Sequence, residues 1–258
     1  MLSNSKAGVR ISAMNSDFSK IFHQSSKNHA KGHPSIPPDS KDWPEEWKTT
    51  FYKTYPRLSK IGLEDRPPAT DFFDLVKKRK SRRDFLPSAI TKREFSLLLK
   101  YSCGNTGLME DGRSRRAQPS GGARFPIEIY PIVFRSEKGL KSGLYHYNVK
   151  QHALNILWQR DFSDPDISGI FTYPWVKNAS AVIVMTAVFW RNQNKYGERG
   201  YRYTLLEAGH IGQNIYLISE ALGLKCCALG GTRDENLEKL LDIDGITESV
   251  VYAVAVGK

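Results

Sequence analysis

Apolar positions divide the chain into a polar N-terminal part and a longer part with regular patterns. Residues 1–68 are polar, are interrupted by proline pairs and contain scattered aromatic residues, among them Trp43 and Trp47. From residue 69 onward, apolar residues recur with the spacings of helices and strands. We therefore expect a partly ordered N-terminal extension over residues 1–68 and one folded domain over residues 69–258.

Helices are predicted where apolar residues recur every three or four positions. Residues 71–80 have a short amphipathic pattern, and a second helix opens at Thr91, which is spaced from Glu94 as in a capping box. The stretch 201–223 predicts the longest helix, which ends at a glycine and should lie centrally in the fold.

Short apolar runs predict strands between these helices. The runs are residues 127–134, 143–148, 152–158, 180–190 and 248–257. A last short helix precedes the final strand, where Thr232 and Glu235 repeat the capping-box spacing. Hairpin-like neighbours in the middle of the chain favour a mixed sheet over a purely parallel one, so the predicted fold class is α+β.

Composition fits a globular protein that can bury a real core. A quarter of the 258 residues are charged and 40% are hydrophobic. Three cysteines, at 103, 226 and 227, show no disulfide pattern, which favours a reducing, cytoplasmic setting. The longest apolar run, residues 179–190, is far shorter than the ~20 residues of a membrane-spanning helix, so no membrane partner is expected.

The net charge of +11 is concentrated in two basic clusters. Six of the seven residues at 77–83 are basic, and a second cluster comprises Arg113, Arg115, Arg116 and Arg124. A basic balance is typical of proteins that bind nucleic acid, a membrane surface or a phosphorylated ligand, although cations at a helix end also complement the helix dipole. No nucleic-acid partner is expected, because neither a known motif nor interleaved aromatic residues accompany the run at 77–83.

Several catalytic and metal-binding signatures are absent. The sequence has no G-x-G-x-x-G after a strand, no phosphate-binding P-loop, no H-E-x-x-H and no G-x-S-x-G. The histidines at 23, 29 and 33 lack cysteines or carboxylates at metal-binding spacing, so no metal is expected. Within the long helix, His210 is kept as a site candidate only.

Two glycines interrupt the long helix. Gly209 and Gly212 each cost about 1 kcal/mol relative to alanine in a helix interior. Some group must therefore approach the helix closely. Tight helix packing, a flat ligand and a second subunit would each explain the pattern.

Four short segments occur in a characteristic order: R-K-S-R-R-D-F at 79–85, P-S-G-G-A-R at 119–124, E-A-G-H-I-G-Q-N at 207–214 and C-A-L-G-G at 227–231. Together they resemble the flavin-dependent nitroreductase superfamily, and more closely its azoline dehydrogenase branch, the SagB/McbC-type enzymes that make thiazoles and oxazoles in modified peptides. The resemblance covers residues 71–258. It implies a nitroreductase-like α+β fold with a mixed, mostly antiparallel sheet flanked by helices, and an FMN at a homodimer interface.

The resemblance also assigns ten residues to the FMN site. Guanidinium groups suit a phosphate better than a lysine does, and glycines let the backbone approach the flavin ring. The implied residues are Arg79, Ser81 and Arg83 at the phosphate, ribityl chain and ring edge, Pro119, Ser120 and Gly121 beside the isoalloxazine, Gly230 and Gly231 near its N5 edge, and Gln213 and Asn214 at the ribityl chain or the dimer interface.

Lys195 and Tyr196 follow the apolar strand and precede the long helix. They match the Lys-Tyr pair of the azoline dehydrogenases. Oxidising an azoline removes a proton from carbon together with a hydride, so a base is required. The resemblance makes Tyr196 the general base and Lys195 the group that lowers its pKa or orients its ring. Without the other motifs, an exposed Lys-Tyr dipeptide in a loop would be the preferred explanation.

The implied reaction is an FMN-dependent oxidation of thiazolines or oxazolines in a ribosomally made peptide, with oxygen as the electron acceptor. The implied partners are the azoline-containing precursor peptide, a second copy of the chain and cyclodehydratase proteins, and residues 1–68 would cover the dimer or bind a partner. Three alternatives remain open: NAD(P)H-dependent reduction of nitroaromatics or quinones, oxidation of thiazolines in nonribosomal assembly, and a peptide-binding scaffold without catalysis.

Overall fold

The computed structural model describes residues 44–64 and 71–258, and the following elements belong to these residues. The strands are β1 (Lys60–Gly62), β2 (Asn105–Leu108), β3 (Ser114–Arg116), β4 (Ile127–Val133), β5 (Gly143–Asn148), β6 (Ala153–Trp158), β7 (Ala181–Val188), β8 (Lys225–Leu229) and β9 (Glu248–Gly257). The α-helices are α1 (Glu45–Lys48), α2 (Phe72–Lys78), α3 (Lys92–Cys103), α4 (Asp164–Ile170), α5 (Trp190–Tyr196), α6 (Arg199–Ala221) and α7 (Asp234–Leu241).

Seven of the strands form one sheet in the order β1-β6-β5-β4-β7-β9-β8, while β2 and β3 form a separate hairpin. All six pairings in the large sheet are antiparallel. The predicted α+β class is confirmed. The predicted mixed sheet contains no parallel pair in the part of the chain described. The short connections between β4, β5 and β6 account for two of the antiparallel pairings, because parallel neighbours need a longer crossover.

Helices cover both faces of the sheet. On one face, α3 and α6 contribute Leu98 and Ile215 to a core shared with the strands. On the other face, Ile167 of α4 and Leu237 of α7 pack into a second core. Full burial of such a side chain contributes about 1.5–3 kcal/mol, so the central strands are stabilised from both sides.

The described part of the predicted N-terminal extension packs on this domain. β1 pairs with β6 at the edge of the sheet. Lys53 forms a 2.6 Å ion pair with Glu248, and Tyr55 Oη lies 3.2 Å from Tyr130 Oη. Residues 44–64 therefore contribute to the same packed unit as the sheet, whereas Trp43 lies outside the described residues.

Most predicted element boundaries agree with the structure to within a few residues. Thr91 and Glu94 form the predicted capping box, in which Thr91 Oγ1 accepts a hydrogen bond from the Glu94 N–H at 3.1 Å. The strand predicted at 180–190 ends earlier, at Val188, because Trp190 already begins α5. The long helix spans Arg199–Ala221, close to the predicted 201–223.

The second predicted capping box is wrong. The residue that caps α7 is Arg233, and its side chain makes no capping hydrogen bond. Thr232 remains extended because it forms an isolated β-bridge with Phe171, and its hydroxyl donates to the Asp234 carboxylate. Thr232 therefore stands one residue too early to cap the helix.

Three structural findings bear on the composition. In the described ranges, no helix is long and apolar enough to cross a bilayer. Cys103, Cys226 and Cys227 are buried and free. The same ranges contain no group of three His, Cys, Asp or Glu side chains arranged to hold a metal ion, and the histidines at 23, 29 and 33 lie outside them.

Candidate functional site

The central helix α6 has one buried and one exposed face. On the buried face, a β-carbon at Gly212 would lie 2.5 Å from the ring of Tyr252. At Gly209, on the exposed face, it would meet no atom within 4 Å. The exposed face comprises Leu205, Leu206, Gly209, His210 and Gln213. Packing against Tyr252 thus explains Gly212, whereas Gly209 leaves a flat surface that a ligand or a second subunit can cover.

Two predicted cofactor residues, Arg79 and Ser81, gather around Tyr216 of α6. Ser81 Oγ lies 2.8 Å from Tyr216 Oη, and the Arg79 guanidinium lies 5.3 Å from the centre of the Tyr216 ring. Tyr216 Oη also accepts a hydrogen bond from the Ala228 N–H at 2.9 Å. We call these four residues the Tyr216 cluster. Sequence reasoning missed Tyr216, although it stands three residues beyond Gln213 and therefore near the same helix face.

The neighbouring arginines have separate environments. Arg82 forms a bidentate ion pair with Glu220 of α6, at 2.5 and 3.1 Å. Its N–H donates to the Cys226 carbonyl at 2.9 Å. Arg83 is exposed. Arg82 thus binds the basic run at residues 77–83 to α6 and β8, while Arg83 stays at the surface.

Gly230 and Gly231 follow β8 and differ in accessibility. A β-carbon at Gly230 would meet no atom within 4 Å, whereas at Gly231 it would lie 2.0 Å from Thr172 Oγ1. The Thr172 N–H also donates to the Gly231 carbonyl at 3.0 Å. A cavity of about 420 Å³, lined in part by Thr172, Tyr173 and Arg233, opens beside this turn. Gly230 is therefore the open backbone position, and packing accounts for Gly231.

Glu207 of α6 holds the segment that contains Ser120. Gln118 Nε2 donates to Glu207 Oε1 at 3.2 Å, and the Ser120 hydroxyl hydrogen-bonds to the same carboxyl. Ser120 Oγ also accepts a hydrogen bond from the Phe125 N–H at 2.9 Å. Burial raises the pKa of Glu207 to about 7, against the opposing effect of the Ser120 and Gln118 hydrogen bonds. The Glu207 carboxyl group, which holds the Ser120 segment, is therefore partly protonated near neutral pH.

The residues that flank Ser120 complete this segment. Pro119 is exposed. Gly121 packs against the ring of Tyr203 on α6, which lies 3.4 Å from the position that a β-carbon would take. The segment is thus held against the N-terminal half of α6.

Lys195 and Tyr196 occupy the last turn of α5, and both reach Gly122. A β-carbon at Gly122 would lie 2.5 Å from Tyr196 Oη and 3.3 Å from Lys195 Nζ, and Gly122 has a φ of 62°. Lys195 is only 2% exposed, and its Nζ lies 5.3 Å from the centre of the Trp47 ring. Lys195 is therefore buried, Tyr196 is half-buried, and the two side chains converge, unlike a Lys-Tyr dipeptide in an exposed loop.

The electrostatics of the pair are set mainly by burial. Burial, together with Arg113 and Arg124, lowers the pKa of Lys195 to about 8. Burial and Tyr203 raise the pKa of Tyr196, and Arg124 and Arg113 oppose that shift without cancelling it. Burial of the phenol dominates the pKa of Tyr196 in this arrangement, so the role of Lys195, whether it lowers this pKa or orients the ring, stays a prediction. Lys195 is the member of the pair with a pKa close to neutral.

A buried ion network fixes the start of α5. Arg191 Nη1 donates to Glu128 Oε1 at 2.6 Å and to the Phe125 carbonyl at 3.1 Å. His146 Nε2 lies 2.9 Å from the other Glu128 oxygen, and Arg124 Nε donates to the Arg191 carbonyl at 2.7 Å. Burial alone would raise the pKa of Glu128, but Arg191 and His146 hold it at about 2. Sequence reasoning missed this network because its members come from distant parts of the chain.

Within one chain, the predicted cofactor residues form two groups along α6. Glu207, which holds the Ser120 segment, and Tyr216 are nine residues apart, or about 13 Å along the helix axis. Gln213 is exposed between them, whereas Asn214 turns inward and donates to the Ser102 carbonyl at 3.0 Å. The structure thus brings the residues to one helix but not to one point.

Three proteins illustrate the similarity of the chain to known sequences. A candidate nitroreductase of Methanocaldococcus jannaschii, MJ1384, is 32% identical over 188 residues, which cover 73% of this chain and 88% of that protein. The trifolitoxin-processing protein TfxB of Rhizobium leguminosarum is 31% identical over 66% of this chain and 48% of its own length. The microcin B17-processing protein McbC of Escherichia coli is 28% identical over 78% of this chain and 79% of its own length.

Solved structures share the fold. A candidate nitroreductase of Anabaena variabilis matches with a TM-score of 0.74 and 24% identity over 93% of this chain, which spans only 46% of that protein. The E. coli microcin synthetase McbBCD complex with truncated pro-MccB17 bound matches with a TM-score of 0.58 and 19% identity, over 94% of this chain and 92% of the matched one. A candidate nitroreductase of Exiguobacterium sibiricum in complex with FMN gives a TM-score of 0.52 and 16% identity, over 76% and 90%.

The family comparison covers most of the chain. The model of the nitroreductase family matches residues 76–258. This range includes Lys195, Tyr196 and the ten residues predicted to hold the cofactor. The match, together with the archaeal relative at 32% identity, shows that the chain belongs to the nitroreductase family.

Proposed function

We propose that the chain is an FMN-dependent dehydrogenase that oxidises thiazoline or oxazoline rings of a post-translationally modified peptide to thiazoles or oxazoles. The observation that carries this proposal is the convergence of Lys195 Nζ and Tyr196 Oη on Gly122, with Lys195 buried and Tyr196 half-buried. Two relatives named for trifolitoxin and microcin B17 processing support a modified peptide as the substrate class. Both groups of predicted cofactor residues lie along α6, and the group that contains Ser120 and Gly121 adjoins the pair through Gly122.

The residues along α6 fit FMN. Arg79 and Ser81 place a guanidinium and a hydroxyl group beside Tyr216, which is a suitable donor set for a phosphate. Gly209 and Gly230 leave open the space that a β-carbon would fill, so a flat ring can approach the backbone. When bound, FMN would supply the hydride acceptor for the reaction. The other proposed ligands are Arg83, Pro119, Ser120, Gly121, Gln213, Asn214 and Gly231.

The Lys195–Tyr196 pair would take the proton that leaves the ring carbon. Loss of one proton and one hydride converts an azoline into an azole, and oxygen is the proposed final acceptor of the two electrons. The resemblance implies that Tyr196 accepts the proton. The pKa of about 8, however, makes Lys195 the side chain that more readily loses its own proton near neutral pH and can then act as the base. We therefore assign proton uptake to Lys195 and the positioning of the ring to Tyr196.

The exposed faces of two helices support a homodimer. Leu206 of α6 is 60% exposed, and Phe72 and Phe73 of α2 are 58% and 74% exposed. The two helices contact each other. Grouped exposed apolar residues are typical of protein interfaces, so a second copy of the chain is the proposed partner there.

Further partners follow from the proposed substrate. The McbBCD complex contains a precursor peptide and several proteins, which supports a multiprotein setting for this chain. The proposed partners are the azoline-containing precursor peptide and the cyclodehydratase proteins that form its rings. Residues 1–68 would contribute to these contacts or to the cover of the dimer.

Reduction of nitroaromatics or quinones by NADH or NADPH is the second candidate function. The relative MJ1384, named as a candidate nitroreductase, favours it. That reaction needs no base to remove a proton from carbon, so it gives no reason for a buried lysine and tyrosine to converge on Gly122. Oxidation of thiazolines in a nonribosomal assembly line would use the same chemistry as the leading proposal on a different carrier.

An anaerobic visible spectrum distinguishes the candidates. The purified full chain is reconstituted with FMN and mixed either with NADPH or with a panel of synthetic thiazoline peptides. We expect the peptides, and not NADPH, to bleach the flavin bands, and Tyr196→Phe and Lys195→Met to retain FMN but bleach slowly. Fast bleaching by NADPH alone would favour the second candidate, and a protein that cannot bind FMN would contradict both.

A further inference from the structure

A second cavity, of about 410 Å³, adjoins the Lys195–Tyr196 pair. It lies between β3 and the segment 117–125, and Gly122 forms part of its wall. The missing β-carbon of Gly122 is also what lets Tyr196 Oη and Lys195 Nζ approach the backbone. A molecule in this cavity would therefore be separated from the pair only by the glycine backbone.

One wall of the cavity is formed by Arg116, which is 6% exposed. Its guanidinium lies 4.4 Å from the centre of the Phe125 ring and 5.3 Å from that of Tyr52. Among residues 44–64 and 71–258, Arg116 Nε has no hydrogen-bond partner, and no carboxylate lies within ion-pair distance of the Arg116 side chain. A buried guanidinium in this state is costly unless an anion joins it.

The two carboxylates that act electrostatically on Arg116, Glu128 and Glu207, form their hydrogen bonds and ion pairs with other residues. Glu128 is held by Arg191 at 2.6 Å and by His146 at 2.9 Å. Glu207 accepts hydrogen bonds from the Gln118 amide and the Ser120 hydroxyl. The protein itself therefore supplies no carboxylate that pairs with Arg116.

We propose that this cavity binds an acidic group of the peptide substrate, with Arg116 as the ligand of its carboxylate. The planar guanidinium suits two parallel hydrogen bonds to a carboxylate, and exposed Arg115 at the rim adds attraction. A carboxylate bound here would leave a nearby heterocycle beside Gly122, the residue on which Lys195 and Tyr196 converge. This inference rests on the proposed function and adds a preference for an aspartate, a glutamate or a free C-terminus near the ring.

The anion is assigned to the peptide rather than to the phosphate of FMN. The predicted phosphate ligands Arg79 and Ser81 lie in the Tyr216 cluster. Arg116 instead lies in the cavity that Ser120 also lines, and Ser120 is held by Glu207. The two basic sites are thus associated with opposite halves of α6, which allows separate ligands.

The test is a binding measurement without turnover. Two synthetic thiazoline peptides, identical except for aspartate or asparagine next to the ring, are titrated by anaerobic calorimetry into the FMN-loaded full chain. A second pair carries the residue on the other side of the ring. We expect about tenfold tighter binding of one acidic peptide than of its amide, and loss of this difference in Arg116→Gln.

Matched variants separate the outcomes. Arg115→Gln, at the exposed neighbouring position, should reduce the preference by less than twofold, and Arg116→Lys should retain part of it. Should Arg116→Gln fail to fold, inorganic phosphate should compete in the wild-type protein with the acidic peptide and not with the amide.

Equal binding of both members of each pair, or no binding of an acidic peptide at millimolar concentration, would overturn the inference. A large rise in the FMN dissociation constant of Arg116→Gln, with the peptide preference intact, would assign the site to the cofactor. Failure of the proposed function has a different signature, because both peptides would then remain unoxidised whatever their affinities.

Discussion

Replacing Lys195 by methionine removes the amine while keeping the length of the side chain. Burial and two arginines set the pKa of Lys195 at about 8 instead of the ordinary 10.5. At pH 7.5 about a quarter of the molecules would then carry the neutral amine, compared with about a thousandth for an unshifted lysine. If Lys195 accepts the proton, its environment therefore raises the population of the active form by about two hundredfold at that pH.

The assay is anaerobic single-turnover bleaching of the flavin by a thiazoline peptide, followed across the pH range. A base must be unprotonated to act, so the wild-type rate should rise with pH and level off above about 8. Lys195→Met should lose this transition, whereas Tyr196→Phe should keep it with a lower plateau. A wild-type profile without a transition near this pH would refute the reasoning. Loss of the transition in Tyr196→Phe alone would instead identify Tyr196 as the group that accepts the proton.

Three further predictions concern the supports of the site. Glu128→Gln should destabilise the protein by about 3–5 kcal/mol in denaturant unfolding, because it leaves Arg191 buried without its partner. Tyr216→Phe removes the hydroxyl group that bonds Ser81 and Ala228, so the dissociation constant for FMN, measured by its fluorescence, should rise about tenfold. Gly122→Ala should lower the single-turnover rate by at least about tenfold, since its β-carbon would displace Tyr196.

Each of these variants has a control within the chain. Asp164→Asn breaks the exposed pair with Lys177 and should cost no more than about 1 kcal/mol. Tyr145→Phe also removes a tyrosine hydroxyl group but should leave FMN affinity unchanged. Gly112→Ala introduces a β-carbon at a φ of 79° into open space, so it should strain the backbone without slowing the reaction. Equal effects in a variant and its control would show that the named contact is not responsible.

Local patterns predicted the elements because they depend on neighbouring residues. The spacing of Thr91 and Glu94 specifies a capping box, and the structure contains it. The same spacing at Thr232 failed because a bridge to Phe171, far away in sequence, keeps Thr232 extended. A local signal therefore holds only where no long-range contact competes for the same backbone.

The candidate site was predictable where motifs name the residues, and less so where burial decides their chemistry. Adjacency suggested that Lys195 would act on Tyr196, whereas the structure shows that burial shifts their pKa values in opposite directions. Tyr216 and Glu128 have no motif of their own. Their roles follow from contacts with residues more than sixty positions away, which no local pattern contains.

The second basic cluster shows why net charge alone could not assign a partner. Arg124 is fully buried and donates to a carbonyl of α5, so its guanidinium supports the helix that carries Lys195 and Tyr196. Arg113 is neutralised in part by Asp111. Arg115 is exposed, and Arg116 is buried in a cavity without a carboxylate partner in the described chain. Arg124 has no carboxylate partner among the described residues either, but all three of its guanidinium nitrogens donate to neutral oxygens. Among the described arginines of this cluster, only Arg116 combines burial with an unpartnered guanidinium nitrogen, and this combination points to a ligand.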